Sequence, residues 1–231
     1  MIKNILFDMG NVLVCWNPSL FLSRLGLPEE DSRLLMNEVF RSVEWIQLDR
    51  GTLTDEEALS KMCPRLPEKL HSAARKLVTS WEEPMIPMPE TDRLVKELSE
   101  NGYGLYLLSN ASLRHSVYWP KFPVARYFED RLMISSAWKL LKPEAAFYEK
   151  ALSLFGLLPE ECVFIDDNPS NVEGAVYLGI HGIVYNQDPD VVLCQFIDQK
   201  TESFIRLIGR DHDNFHLSFL PLYFIAARGN P

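Results

Sequence analysis

The chain has 231 residues, a formal net charge of −9, and 47% hydrophobic against 24% charged residues. That length accommodates one α/β domain with a sizeable core and a smaller inserted one, and its acidic balance disfavours a nucleic-acid groove, which needs a basic stripe. No 18-residue uncharged run offers a membrane span and no signal-peptide pattern precedes the first apolar run, so the chain reads as cytoplasmic.

The first predicted strand, Ile2–Phe7, is an apolar run that stops abruptly at Asp8-Met9-Gly10-Asn11-Val12. A strand ending in a carboxylate followed by Gly-Asn suits the edge of a parallel sheet that opens into a ligand crevice. Helical patterning follows from about Cys15 to Glu83. Thr54 with Glu57 three residues on forms a capping box after a turn at Gly51, and Pro28 and Pro67 suit the first positions of helices. Such an all-helical insertion suits a cap over the crevice. The segment Pro84-Met85-Ile86-Pro87-Met88-Pro89 reads as the return linker, with Pro89 opening the next helix.

Further strands are predicted at Gly104–Ser109, Leu132–Ser135, Cys162–Asp166 and Gly182–Tyr185, alternating with helical patterns. Leu105–Ser109 and Val163–Asp166 are continuously apolar, as befits strands buried on both faces. The expected architecture is α/β: a parallel-sheet core from residues 1–14 and 84–186, a helical cap over 15–83, and a C-terminal extension over 187–231. In that extension Leu217–Ala227 is apolar but interrupted by Pro221 and too short to span a bilayer. It reads as a tail packed on the body or on a neighbouring subunit, the latter giving a homodimer. Cys15, Cys63, Cys162 and Cys194 form no CxxC pair and the five histidines show no ligand spacing, which points to reduced thiols rather than zinc.

Four strand-end signals carry chemistry. Asp8 can attack phosphorus and form an acyl-phosphate that water later hydrolyses; its bland alternative is a turn cap. Gly10 and Asn11 allow a sharp turn whose amides face the crevice and hold a phosphoryl group. Ser109 and Asn110 offer a hydroxyl and an amide to phosphoryl oxygens. Lys142, fixed beside Pro143, supplies a compact positive charge, with Lys139 as its nearby competitor. Asp166 and Asp167 repel each other at an apolar strand end unless a cation joins them, and magnesium suits such oxygen ligands. Their alternative role is to cap a helix starting near Pro169.

At these residues the chain resembles the haloacid dehalogenase-like hydrolase superfamily, over about Met1 to Asn186. Asp8-Met9-Gly10-Asn11-Val12 looks like its first motif, Ser109 its second, Lys142 its third, and Asp166-Asp167 with Asn171 its fourth. The resemblance implies a Rossmann-like core, a helical cap, and Mg²⁺ held by the Asp8 carboxylate, the Gly10 carbonyl and Asp167. Asp166 is implied beside the ion or among its ligands, and which of the two acids binds directly stays open. Most phosphatases of the superfamily carry a second Asp, a general acid/base, where this chain has Gly10. Losing a placed proton donor costs about 10²–10⁴ in rate. Phosphatases of the FDxGNV type, including one acting on α-D-glucose 1-phosphate, share the glycine.

The expected activity is therefore magnesium-dependent hydrolysis of small organic phosphates, sugar phosphates among them. The alternatives are a 2-haloacid dehalogenase, against which the crowded acids argue, and a catalytically weakened binding protein on the same fold. Trp16, Arg41, Trp45 and Arg50 are candidates to face the crevice from the cap, with ordinary packing or solvation as their alternative.

Overall fold

The computed structural model describes residues 1–84, 86, 88–187, 189 and 192. Five strands, β1 (Asn4–Phe7), β2 (Gly104–Ser109), β3 (Leu132–Ile134), β4 (Cys162–Asp166) and β5 (His181–Val184), form one sheet in the order β3-β2-β1-β4-β5. Every pairing is parallel. This Rossmann-like order puts β1 at the centre, where Ile5, Leu6 and Phe7 are fully buried. A side-chain period of two sends Leu6, Leu108 and Phe164 to one face and Ile5, Phe7 and Ile165 to the other.

Helices cover both faces. The helix Ala145–Phe155 packs Phe147, Tyr148 and Ala151 on the first face, and Pro169–Tyr177 adds Ala175. The helix Pro89–Glu100, opened by Pro89 as expected, lays Leu94, Val95 and Leu98 on the second. Burying each such leucine or phenylalanine contributes about 1.5–3 kcal/mol.

Among the described residues between β1 and Pro89 lie five α-helices: α1 (Pro18–Ser23), α2 (Glu29–Leu35), α3 (Val43–Arg50), α4 (Asp55–Met62) and α5 (His71–Ser80). A π-helical turn at Met36–Phe40 continues α2. The Thr54–Glu57 capping box is present at the start of α4. Pro28 and Pro67 sit one residue earlier than expected, immediately before the first helical residues rather than as them. Their ψ angles of 151° and 144° are extended, so each proline ends a loop instead of beginning a turn.

The strand boundaries differ slightly from expectation. β1 starts at Asn4, β3 stops at Ile134 because Ser135 opens a short helix, and β5 is His181–Val184. Cys15, Cys63 and Cys162 are free thiols. No helix among the described residues is long and apolar enough to cross a membrane. Apart from Gln187, Pro189 and Val192, the expected C-terminal extension lies outside the described residues, as do Cys194 and Leu217–Ala227.

The end of α3 is fastened to the sheet domain. Gly51 terminates the helix at φ 71° and lies so close to Ser136 that a Cβ there would sit 2.2 Å from its carbonyl oxygen. The Ser135 hydroxyl donates to the Asp49 carbonyl and accepts from the Ala111 backbone N–H. Arg50 pairs with Glu144 and donates to the Lys139 carbonyl.

Candidate active site

The sheet register brings the acids together. Leu6 lies opposite Phe164 and Phe7 opposite Ile165, so one further residue puts Asp8 beside Asp166 at the C-terminal edge. Both emerge on the side of the sheet that Leu6 and Phe164 occupy below them. Adjacent strands stand about 4.8 Å apart, and two carboxylates at that spacing need a cation. Lys142 supplies it. Its Nζ, almost wholly buried, donates to Asp8 Oδ1 at 2.7 Å, Asp166 Oδ2 at 2.6 Å and the Leu108 carbonyl at 2.9 Å. Burial alone would lower the lysine pKa, but the Asp8 and Asp166 charges outweigh it and raise the value. Lys139 is exposed and ends its short helix at φ 59°.

Asn110 lines the cavity where phosphoryl oxygens are expected to meet it, and its side chain also holds Lys142. Its Oδ1 accepts from the Lys142 backbone N–H at 2.8 Å and its Nδ2 donates to the Lys142 carbonyl at 3.0 Å. The amide thereby clamps the lysine's backbone from the end of β2. Ser109, also buried, lines the cavity in front of Asp8.

Asp166 and Asp167 have separate surroundings. Asp166 is fully buried and accepts from Lys142, from the Asn168 backbone N–H at 2.8 Å, and from Asn171 Nδ2 at 3.1 and 3.0 Å. Asp167 lines the cavity, and its Oδ2 accepts from Asn11 Nδ2 at 2.9 Å. Burial, then the Asp166 charge, raises its pKa. Neither acid caps the following helix, since Asn168 does so through the Ser170 N–H.

The loop after Asp8 is a tight turn in which the Leu13 and Val14 N–H groups both reach the Met9 carbonyl at 2.9 Å. Its left-handed residue is Asn11, at φ 54°, whereas Gly10 is not in that region. Asparagine tolerates this conformation because its short polar chain bonds locally; here Oδ1 accepts from the Trp16 N–H at 3.0 Å. At Gly10 a Cβ would meet Trp16 Cβ at 3.4 Å, an ordinary contact, so the turn's shape rests on Asn11.

Ligand atoms of Asp8, Asp166 and Asp167 lie within 4.8 Å of one another. Among the described residues, Lys142 is the one cationic side chain hydrogen-bonded to them. Three carboxylates against one ammonium leave an excess that a divalent cation would neutralise. Burial raises the Asp8 pKa to about 7, with the Lys142 charge lowering it and the Asp166 charge adding to the rise. The donor set, all oxygen and partly buried, fits magnesium.

A cavity of about 520 Å³ opens above these groups. Its far wall is apolar, with Trp16, Met36, Phe40, Trp45 and Trp81 contributed by the inserted segment. The rings interlock, Trp16 meeting Trp81 edge-on at 4.6 Å and Trp45 at 5.5 Å. Of the four cap candidates, Trp16, Trp45 and Arg41 line the cavity. Arg50 does not line it, because Glu144 takes its guanidinium. Asp49, Trp81 and Tyr118 are among the lining residues that escaped the sequence reading. For Asp49 a signal exists, since it stands four residues after Trp45 and so shares its helix face.

A parallel sheet with acids from two neighbouring strand ends, a shared buried lysine and a covered crevice defines a hydrolase built on a Rossmann-like core. A family model for haloacid dehalogenase-like hydrolases matches residues 2–179, and the chain belongs to that family. A sesquiterpene phosphatase of Aspergillus oryzae is 26% identical over 190 residues, covering 78% of this chain and 88% of that protein. A haloacid dehalogenase-family enzyme of Bacteroides thetaiotaomicron, solved with magnesium and inorganic phosphate, is 27% identical. Its TM-score is 0.60 over 81% of this chain and 96% of that one. An L-2-haloacid dehalogenase of Xanthobacter autotrophicus shares the fold at 16% identity and a TM-score of 0.60, over 90% of this chain and 88% of its own.

Proposed function

We propose that the protein is a magnesium-dependent phosphatase of small organic phosphate esters and that Asp8 is its nucleophile. The observation that carries this reading is the constellation at the sheet edge. Asp8 is oriented by a buried ammonium, and Asp167 beside it faces the cavity rather than the lysine. The similarity to the Aspergillus phosphatase and to the Bacteroides enzyme solved with magnesium and phosphate supports it.

In this mechanism Asp8 attacks phosphorus in line, forming an aspartyl phosphate and releasing the alcohol, and water then hydrolyses the acyl-phosphate. Lys142 holds Asp8 in place and stabilises charge on the phosphoryl oxygens. Asp166 acts through Lys142 and Asn171, which it anchors, and Asn110 fixes the lysine's backbone. Ser109 and the amides of the Asp8–Asn11 turn receive phosphoryl oxygens. Asp8, the Gly10 carbonyl and Asp167 would hold the magnesium ion, with Asp166 beside it. When bound, the ion neutralises the approach of a dianionic phosphate to these carboxylates.

The helices between residues 15 and 83 act as the cap that selects the organic group. Their aromatic wall favours an ester with a carbon-rich or ring-shaped alcohol over a highly charged one. The test is a phosphate-release screen of prenyl, sugar, nucleotide and amino-acid phosphates, with and without magnesium. Magnesium-dependent release, strongest on ring or prenyl esters, is expected. Metal-independent chloride release from 2-chloropropionate with no phosphate release would overturn the reading in favour of a dehalogenase.

A further inference from the structure

We infer that Asp49, delivered by the inserted helix α3, is the catalytic acid and base that exchanges protons with the leaving oxygen and the attacking water. This rests on the phosphatase reading above and fills the role left open by Gly10.

Asp49 lines the same cavity as Asp8, Ser109 and Lys142 but enters from the opposite, inserted side. A leaving group departing in line from Asp8 points away from the sheet edge and toward that side. The position of Asp49 is fastened at three points around it. Ser135 holds its own carbonyl, Arg50 is bound to Glu144, and Gly51 rests on the Ser136 backbone. The neighbouring ionisable groups within its field are Asp8 and Tyr118, both lining the cavity, and Arg50 is directed away to Glu144.

The surroundings shift Asp49 toward its protonated form. Burial raises the Asp49 pKa well above the ordinary aspartate value, and the Asp8 charge adds to this. Hydrogen bonding from the Ser112 backbone and the Trp45 side chain offsets it only in part. Its place in the last turn of α3, at the negative end of the helix dipole, acts in the same direction.

In the first step an Asp8 oxygen bonds to phosphorus while the bond from phosphorus to the ester oxygen breaks, and that oxygen takes the Asp49 proton to leave as the alcohol. The Asp49 carboxylate then accepts a proton from water as the water oxygen bonds to phosphorus. The acyl-phosphate bond breaks, inorganic phosphate leaves, and Asp8 carboxylate and Asp49 carboxyl are restored.

The test compares wild type with Asp49→Asn, with magnesium, on substituted phenyl and simple alkyl phosphates. Wild type should show a shallow dependence of kcat/KM on leaving-group basicity. Asp49→Asn should lose about 10²–10⁴ on alkyl esters while forming the phosphoenzyme from p-nitrophenyl phosphate at a nearly unchanged rate. Because the second step also needs the base, p-nitrophenol should appear in a burst equal to the enzyme, followed by slowed phosphate release. An equal loss on every ester, or no loss on any, would overturn the assignment while leaving the phosphatase reading intact. Wild type inactive on every ester would instead remove that reading and the assignment with it. Asp49→Ser, read by the same burst, serves if the asparagine variant unfolds in thermal melts.

Discussion

Substituting Gly51 by alanine separates two effects that a single glycine often combines. At φ 71° any Cβ is strained, which costs about 1–2 kcal/mol. Gly51 also abuts the Ser136 carbonyl, and the added methyl would lie 2.2 Å from that oxygen. The backbones must part by about 1 Å to reach ordinary contact, an overpacking that costs about 1–3 kcal/mol more. Gly26 is the control, because it has φ 62° with nothing within 4 Å of its would-be Cβ. Gly26→Ala should therefore cost about 1–2 kcal/mol and Gly51→Ala about 2–5 kcal/mol, measured by urea unfolding. At about 2–4 °C per kcal/mol the two should differ visibly in Tm as well. Since the end of α3 carries Asp49 to the cavity, Gly51→Ala should also lower kcat/KM, and Gly26→Ala should leave it unchanged. Equal stability losses with equal activity would refute the idea that this contact docks the inserted helices on the core.

Asp8→Asn should abolish turnover with the fold intact, since it removes the nucleophile's charge and one metal ligand; more than a few per cent of wild-type phosphate release would sink the covalent mechanism. Lys142→Ala should lower kcat by about 10²–10³, while Lys139→Ala, on an exposed side chain, should be near neutral; the reverse ranking would assign the charge to the wrong lysine. Asp167→Asn should raise the magnesium needed for half activity about 10–100-fold. Asp166→Asn, which disturbs Lys142 and Asn171, should act mainly on kcat; calorimetry finding unchanged magnesium affinity for Asp167→Asn would make that acid structural.

The central strands were legible because burial on both faces leaves an uninterrupted apolar run, as in Leu105–Leu108 and Val163–Ile165. The edge strand β5 was harder to bound: only Ile183 of its four residues is buried, so its pattern barely differs from a loop. The acids and Lys142 were visible as breaks at the ends of greasy runs. Their division of labour was not, because it depends on partners far along the chain. Asn110 lines the cavity but also clamps the Lys142 backbone, 32 positions away, and Arg50 has the chemistry of a cavity residue, yet Glu144, 94 positions later, takes it. Trp16 and Trp45, singled out as candidates to face the crevice, do line the inserted wall. Helix-face logic carried one turn from Trp45 along α3 would have found Asp49.

The two adjacent aspartates illustrate how a strand end divides chemistry between neighbours. Successive side chains leave a strand on opposite sides, so Asp166 continues the Leu6–Phe164 side and meets Lys142, while Asp167 is free to meet Asn11 and the cavity. Asn11 in turn is bound to the Trp16 backbone, which begins the aromatic wall. One chain of contacts thus runs from β4 through the Asp8 loop into the inserted segment, and a second runs from β3 through Ser135 to Asp49. The cavity is closed by residues whose positions depend on the same sheet edge that carries the nucleophile. A substitution that shifts the inserted helices by an ångström should therefore alter chemistry as well as substrate choice, because it moves the proposed proton donor relative to Asp8.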